Sequence, residues 1–164
     1  MGRYFSITAR ILTRERKIDP PFRKKYDEVA LDLVYKDFVK MLFKGKASLF
    51  DGCEFPYEVS APKYDGYLLD LDSEKGGSKA KFLRDVLNYN KGDGRKLHEA
   101  IAEALDGKIP DSSEQTPYGL KCRFKVRIKG NGGKWAEANV EVVIQKDNGR
   151  IVWRIITLFP GRKD

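Results

Sequence analysis

The stretch Lys121-Cys122-Arg123-Phe124-Lys125-Val126-Arg127-Ile128-Lys129 alternates basic and apolar side chains without a break. Successive side chains of a β-strand point to opposite faces. The segment therefore predicts a strand with Cys122, Phe124, Val126 and Ile128 on a core face. Lys121, Arg123, Lys125, Arg127 and Lys129 share the other face, where like charges repel one another. A fold keeps such a row when acidic neighbours offset it or when it meets a polyanion. Glu137 and Glu141, on the next strand, could offset it by cross-strand pairing. A phosphate backbone could equally be the counterpart. The sequence leaves both readings open.

Composition narrows the field. A chain of 164 residues suggests one domain with room for an appended segment, and it can bury a core without disulfide or metal staples. Hydrophobic residues at 41% and charged residues at 34% fit a folded globular chain. The formal charge of +8 favours an acidic partner: RNA, DNA, an anionic membrane or an acidic protein. A merely soluble basic protein is the plainer alternative. No run of 18 apolar residues occurs, so no membrane span is expected. The opening Met1-Gly2-Arg3-Tyr4-Phe5-Ser6 lacks the apolar run of a signal peptide. Cys53 and Cys122 form neither a metal pattern nor a disulfide framework, although a bridge between them stays open. The one histidine, His98, is too few for a His-rich zinc site or for a two-histidine acid/base pair. No metal or other cofactor is expected.

Along the chain, residues 4–11 alternate and permit a short strand; Pro20-Pro21 then stops any regular element and can open a helix. Apolar residues then recur at helical spacing from Phe22 to Lys44. Residues 45–66 carry Gly45, Gly52, Pro56, Pro62 and Gly66 and read as a loop-rich link. A helix is expected from Lys79 to Asn90 with Ser78 as its cap and Phe82, Val86 and Tyr89 on one stripe, Leu83 and Leu87 beside them. A second runs from Gly94 to Leu105 between Asp93 and Gly107. Residues 108–118 read as a polar loop. Strands come next at 119–129, 134–145 and 150–159, joined by Gly130-Asn131-Gly132-Gly133 and Asp147-Asn148-Gly149. The expected fold class is α+β: N-terminal helices, then a twisted antiparallel β-meander of three or more strands. Residues 1–60 form a helical N-terminal segment, part of the same domain or a remnant of a delivery region, and residues 61–164 form the α+β unit.

Several residues could carry chemistry, each with an ordinary alternative. Lys75-Gly76-Gly77-Ser78-Lys79 could hold a phosphate on backbone N–H groups, but it lacks Walker spacing and a capped flexible turn explains it as well. Thr157 breaks the apolar run Ile155 to Phe159 and could hold a phosphate oxygen; threonine is also common in strands. Arg150 and Arg154 share a strand face and could extend the basic surface. Trp153 faces the core, and His98 reads as a satisfied structural histidine. Asp70 and Asp72 need not converge on a metal.

Residues 67–160 resemble the catalytic domain of bacterial polymorphic and contact-dependent inhibition toxins, in the barnase–EndoU–colicin–RelE-like group of ribonucleases. The matching pieces are Tyr67-Leu68-Leu69-Asp70, Gly77-Ser78-Lys79-Ala80-Lys81-Phe82, Thr116-Pro117-Tyr118-Gly119 and the closing Ile156-Thr157-Leu158-Phe159-Pro160. Asp72-Ser73-Glu74-Lys75 stands where relatives of this layout often carry a histidine and a proline. The resemblance therefore implies a mechanism built on lysine, arginine and hydroxyls. It implies metal-independent cleavage of RNA, transfer RNA in particular. A 2′-hydroxyl would attack the adjacent phosphorus to leave a 2′,3′-cyclic phosphate. Lys79 is assigned as proton acceptor, Arg154 as the charge on the phosphorane, and Thr157 as the hydroxyl on a phosphate oxygen. Tyr67 is assigned as acid or stacking group. Lys75, Lys81, Lys121, Arg123, Lys125 and Arg127 would hold flanking phosphates. The toxin reading further implies delivery from a producer cell into a target-cell cytoplasm and an acidic immunity or antitoxin partner. The competing readings are a non-catalytic RNA- or DNA-binding module and, third, a protein-interaction module. The last suits the +8 charge least, because proteins that neutralise basic toxins tend to be acidic.

Overall fold

A computed structural model describes the backbone of residues 20–161 and the side chains of residues 28–161. The strand expected within residues 4–11 lies outside the described residues. The architecture is α+β, with helices first and a four-stranded antiparallel sheet after them. The helices are α1 (Pro20–Phe43), the single turn α2 (Leu49–Gly52), α3 (Tyr57–Lys63), α4 (Gly77–Asp85) and α5 (Gly94–Leu105). The strands are β1 (Ser112–Thr116), β2 (Gly119–Lys129), β3 (Trp135–Asp147) and β4 (Arg150–Pro160), in spatial order β1-β2-β3-β4.

The alternation of β2 behaves as its chemistry requires. Leu120, Cys122, Phe124, Val126 and Ile128 are buried, while Arg123, Lys125, Arg127 and Lys129 are exposed. Register sets Phe124 against Val140 and Cys122 against Val142 on β3, and these in turn meet Leu158 and Ile155 on β4. That apolar face packs on Leu97, Ile101 and Leu105 of α5 and on Phe38 and Leu42 of α1 in one core. Each such fully buried side chain stabilises the fold by roughly 1.5–3 kcal/mol through area removed from water. Tyr35 of α1 also donates its hydroxyl to the Ile144 carbonyl at 3.1 Å, tying the helix to β3.

Four expectations are corrected. Residues 45–66 are not a plain link: they fold into α2, α3 and the start of a π turn, Tyr64–Leu68. Residues 108–118 are not only loop, because Ser112–Thr116 pairs with β2 as an exposed edge strand. Helix α4 starts two residues earlier and ends sooner than expected; its cap is Gly76, with no side-chain cap bond, so Ser78 is not the cap. Its buried residues are Ala80 and Leu83; past its end Leu87 and Tyr89 are buried as well, whereas Val86 of the expected stripe is exposed.

The free edge of β4 is covered. Glu54 exchanges backbone bonds with Ile151 and Trp153 at 3.0 and 2.9 Å. The Ser60 hydroxyl of α3 accepts the Ile155 N–H at 3.2 Å. Covering an edge in this way removes a template for intermolecular pairing, and here it also docks α3 and the π turn beside the end of β4. His98 is a structural histidine: its ring lies 2.7 Å from the Tyr64 hydroxyl and 3.0 Å from the Phe55 carbonyl, and burial pushes its pKa down. Trp153 is core, stacked on Phe55. Cys53 and Cys122 are free, buried thiols, the latter pushed up to about 12 by burial.

Candidate functional site

Two neighbouring turns and a strand much further along the chain meet near the end of β4. The first is the π turn, in which the Leu69 N–H reaches back to the Tyr64 carbonyl at 2.7 Å. Pro62 just ahead of it has no N–H to give to the preceding turn, so the α-helical ladder is already weakened there. Such wide turns re-aim side chains and recur at functional sites. Here the side chain is Tyr67.

The second segment is the glycine turn ahead of α4. A Cβ on Gly76 would overlap the Tyr67 carbonyl, so only glycine lets this backbone lie against the π turn. Ser73 holds the turn: its hydroxyl accepts from Gly76 N–H at 3.1 Å and its carbonyl from Gly77 N–H at 2.9 Å. Those two N–H groups are therefore occupied by the chain itself, which removes them from phosphate binding. The turn instead carries Lys79 over Tyr67. The Lys79 ammonium donates to the Tyr67 hydroxyl at 2.5 Å and stands 4.9 Å from the ring centroid. Lys63, four residues before Tyr67, lies 4.7 Å from the same centroid. Burial alone would push the Tyr67 phenol up. The Lys79 hydrogen bond, the approach of Thr157 and the charges of Lys79 and Lys63 outweigh it, and the phenol is held below its ordinary value of 10.0.

The third segment is β4. A β-bulge opposite Glu141 and Val142 leaves Ile156 without a partner and sets Thr157 across from Glu141. The bulge turns Thr157 onto the same sheet face as Arg154; strict alternation would have sent it into the core. The Thr157 hydroxyl is buried and makes no hydrogen bond of ordinary geometry. It nonetheless lies near enough to the Tyr67 phenol to help lower its pKa, a close approach rather than a formed bond.

Beside this cluster runs a cleft of about 770 Å³. Tyr67, Lys63, Lys121, Arg154, Gln145 and Tyr118 are among its walls. That volume lies in the range of small-molecule and cofactor sites. Tyr67 and Arg154 thus both line the cleft, while Lys79 and Thr157 stand against Tyr67 and do not line it. Glu141, opposite Thr157, is a buried carboxylate that accepts two bonds from Arg123, at 2.9 and 2.5 Å, with Lys121 at 3.8 Å. The offsetting reading therefore holds for Lys121 and Arg123. Lys125, Arg127 and Lys129 make no salt bridge among the described residues, although Glu137 sits opposite Arg127 in register. Lys75 and Lys81 are exposed at the start of α4 and lie outside the cleft walls. Arg150 does not extend the free basic surface, because Glu54 and Glu58 each stand 3.6 Å from it.

Sequence reasoning missed Lys63 and Gln145 as parts of this site, quoted Tyr118 only within a motif, and named Glu141 only as a neighbour offsetting the β2 charges. Lys63 was findable from its four-residue spacing to Tyr67, had residues 57–68 been read as helical. Among the described residues no three His, Cys, Asp or Glu side chains gather as a metal-binding group, and no helix is long and apolar enough to cross a membrane.

Comparison with curated proteins and with solved structures finds no match. A family model, domain of unknown function (DUF6883), matches residues 57–162, more than half of the chain. That span begins at α3, runs through the π turn, the glycine turn and α5, and takes in the whole sheet. The chain, with Tyr67, Lys79, Arg154 and Thr157 all inside the matched region, belongs to the DUF6883 family.

Proposed function

We propose that this protein is an endoribonuclease that cleaves RNA through attack of a 2′-hydroxyl on the adjacent phosphorus. One observation carries the reading. Tyr67, at the wall of a cleft shared with Arg154, is held below its ordinary pKa by an ammonium 2.5 Å from its hydroxyl. A phenol of that kind transfers protons nearer to neutral pH than an ordinary tyrosine does.

The roles come from placement. Tyr67, as phenolate, takes the 2′-hydroxyl proton, and the 2′ oxygen bonds to phosphorus. The bond from phosphorus to the 5′ oxygen breaks, and that oxygen takes a proton from the Lys63 ammonium. The products are a 2′,3′-cyclic phosphate and a free 5′-hydroxyl. Arg154, always charged and forked, offsets charge on the equatorial oxygens of the phosphorane. The base role therefore moves from Lys79 to Tyr67, and Lys79 becomes its partner. Thr157 is a positioning residue acting through Tyr67, since its hydroxyl is buried. Lys121 is the cation of the β2 row at the cleft wall; its acidic neighbours stand 3.8 and 4.0 Å away, so its ammonium keeps donors for a flanking phosphate. An acidic immunity or antitoxin protein, and action in a target-cell cytoplasm, derive from the toxin resemblance and stand or fall with it.

Incubation of the purified protein with bacterial total RNA in EDTA, read on a denaturing gel, tests the reading. Shortened RNA with wild type, and slowing by a hundredfold or more in Tyr67→Phe and Arg154→Ala, supports it. RNA that stays intact yet shifts on a native gel would instead make this a binding module.

A further inference from the structure

Two large aromatic side chains stand out on the sheet surface, and the catalytic roles above use neither. Tyr118 is 78% exposed and Trp135 is 51% exposed. Both occupy defined places. Tyr118 sits at the tip between β1 and β2, at the lip of the cleft. Its backbone is anchored: Gln145 donates to the Tyr118 carbonyl at 2.8 Å, and the Tyr118 N–H reaches Thr116 Oγ1 at 3.2 Å. The next residue, Gly119, has φ +137°, and a Cβ there would overlap the Ile144 carbonyl oxygen. The turn is thus fixed while the ring is left in solvent. Trp135 pairs with Lys129 at the far end of β2, on the same face as Glu141.

Along β2 the exposed cations Lys125 and Arg127 lie between the two aromatics, and Lys129 stands beside Trp135. Lys121 to Lys129 spans eight strand steps, roughly 27 Å at about 3.4 Å per residue. Glu114 and Glu141 border the Lys121–Arg123 end of this stretch, and Asp111 and Glu137 are the acidic groups beside Lys125, Arg127 and Lys129. The Asp111 carboxylate accepts the Lys125 backbone N–H at 2.6 Å, whereas Glu137 is held only through its backbone carbonyl, which accepts the Gly161 N–H at 2.9 Å, and its exposed carboxylate stands opposite Arg127 in register. Neither forms a salt bridge with the row among the described residues.

We propose that this face is a track for single-stranded RNA, with Tyr118 and Trp135 as stacking platforms at its two ends and Lys125, Arg127 and Lys129 on the phosphates between. The inference rests on the ribonuclease reading for its substrate. It adds that the substrate is unpaired along the track. A base within a duplex has both faces covered by neighbours, whereas an unpaired base offers a face to an aromatic ring. Charge complementarity supplies the affinity and stacking supplies the preference for single strands.

Fluorescence anisotropy with a labelled ten-nucleotide 2′-O-methyl RNA tests this, since that strand has no free 2′-hydroxyl to attack. The expected result is binding at least tenfold tighter to the single strand than to its duplex. Tyr118→Ala and Trp135→Ala should each weaken single-strand binding about tenfold. Tyr118→Phe should bind as wild type, and Lys125→Gln should reduce the salt slope by about 0.7. Equal binding of single strand and duplex overturns the track, as do alanine variants that bind like wild type. Cleavage of unmodified RNA, assayed separately, keeps the two claims apart. Cleavage with unaffected alanine variants sinks the track alone, and the expected binding without cleavage sinks the catalytic reading alone.

Discussion

Glu141→Gln should be costly out of proportion to its size. The substitution keeps the shape of the side chain and removes its charge. Glu141 is only 8% exposed, accepts two hydrogen bonds from Arg123 and has Lys121 at 3.8 Å. Removing one partner of a buried pair costs about 3–5 kcal/mol, and an exposed pair is worth about 0.2–1 kcal/mol. Arg123 is 47% exposed, so solvent screens one side of the pair and the cost falls between these limits, at about 2 kcal/mol. For a chain of this length that lowers Tm by about 4–8 °C. Glu114→Gln is the control. Its carboxylate is 71% exposed and 4.0 Å from Lys121, and its loss should shift Tm by less than about 2 °C. The same Glu141→Gln change frees two cations on the sheet face, so RNA affinity should rise while stability falls. Differential scanning calorimetry of both variants, with RNA binding measured alongside, decides the matter. Equal Tm shifts for the two variants would refute the claim that burial makes the Glu141 pairing worth more than the exposed Glu114 one.

Three further outcomes are expected. Tyrosine absorbance titration should show a phenol ionising below pH 10 that disappears in Tyr67→Phe and moves up in Lys79→Met. Because the folded pKa is depressed, its contribution to stability is present above the unfolded value and is lost as pH falls through the folded one. Thr157→Val should leave stability unchanged or raise it by about 1 kcal/mol by thermal unfolding, because it removes a buried hydroxyl with no well-formed bond. It should also raise the Tyr67 pKa in the same titration. The His98 ring proton, alone of its kind in the chain, should titrate below 6.5 by NMR. Stability should accordingly be lost as pH drops below about 6.5, where the unfolded chain takes up the proton first.

The sheet was legible because β2 states its own register. Charge and hydrophobicity alternate with the period of a strand, and glycine-rich turns separate β2 from β3 and β3 from β4. Strand β1 was hidden because Ser112-Ser113-Glu114-Gln115-Thr116 has no apolar face; its order comes from pairing with β2. Helix α3 and the π turn were hidden by Pro62 and Gly66, which read as breakers and instead mark where the helix changes pitch. Tyr67, Lys79 and Thr157 were singled out from short motifs, and the structure brings them together. Their roles were not legible. The bulge at Ile156 decides which way Thr157 faces, and a period-2 pattern does not show a bulge. Gly76 suggested a phosphate loop, whereas its small size serves contact with Tyr67.

The central claim is tested most directly by the ends that cleavage leaves. A short single-stranded RNA incubated with the protein in EDTA should yield, by mass spectrometry, a fragment ending in a 2′,3′-cyclic phosphate and one beginning with a 5′-hydroxyl. Both should fall together in Tyr67→Phe. Uncut RNA, or products carrying a 5′-phosphate and a 3′-hydroxyl, would contradict attack by the 2′-hydroxyl and with it the role given to Tyr67.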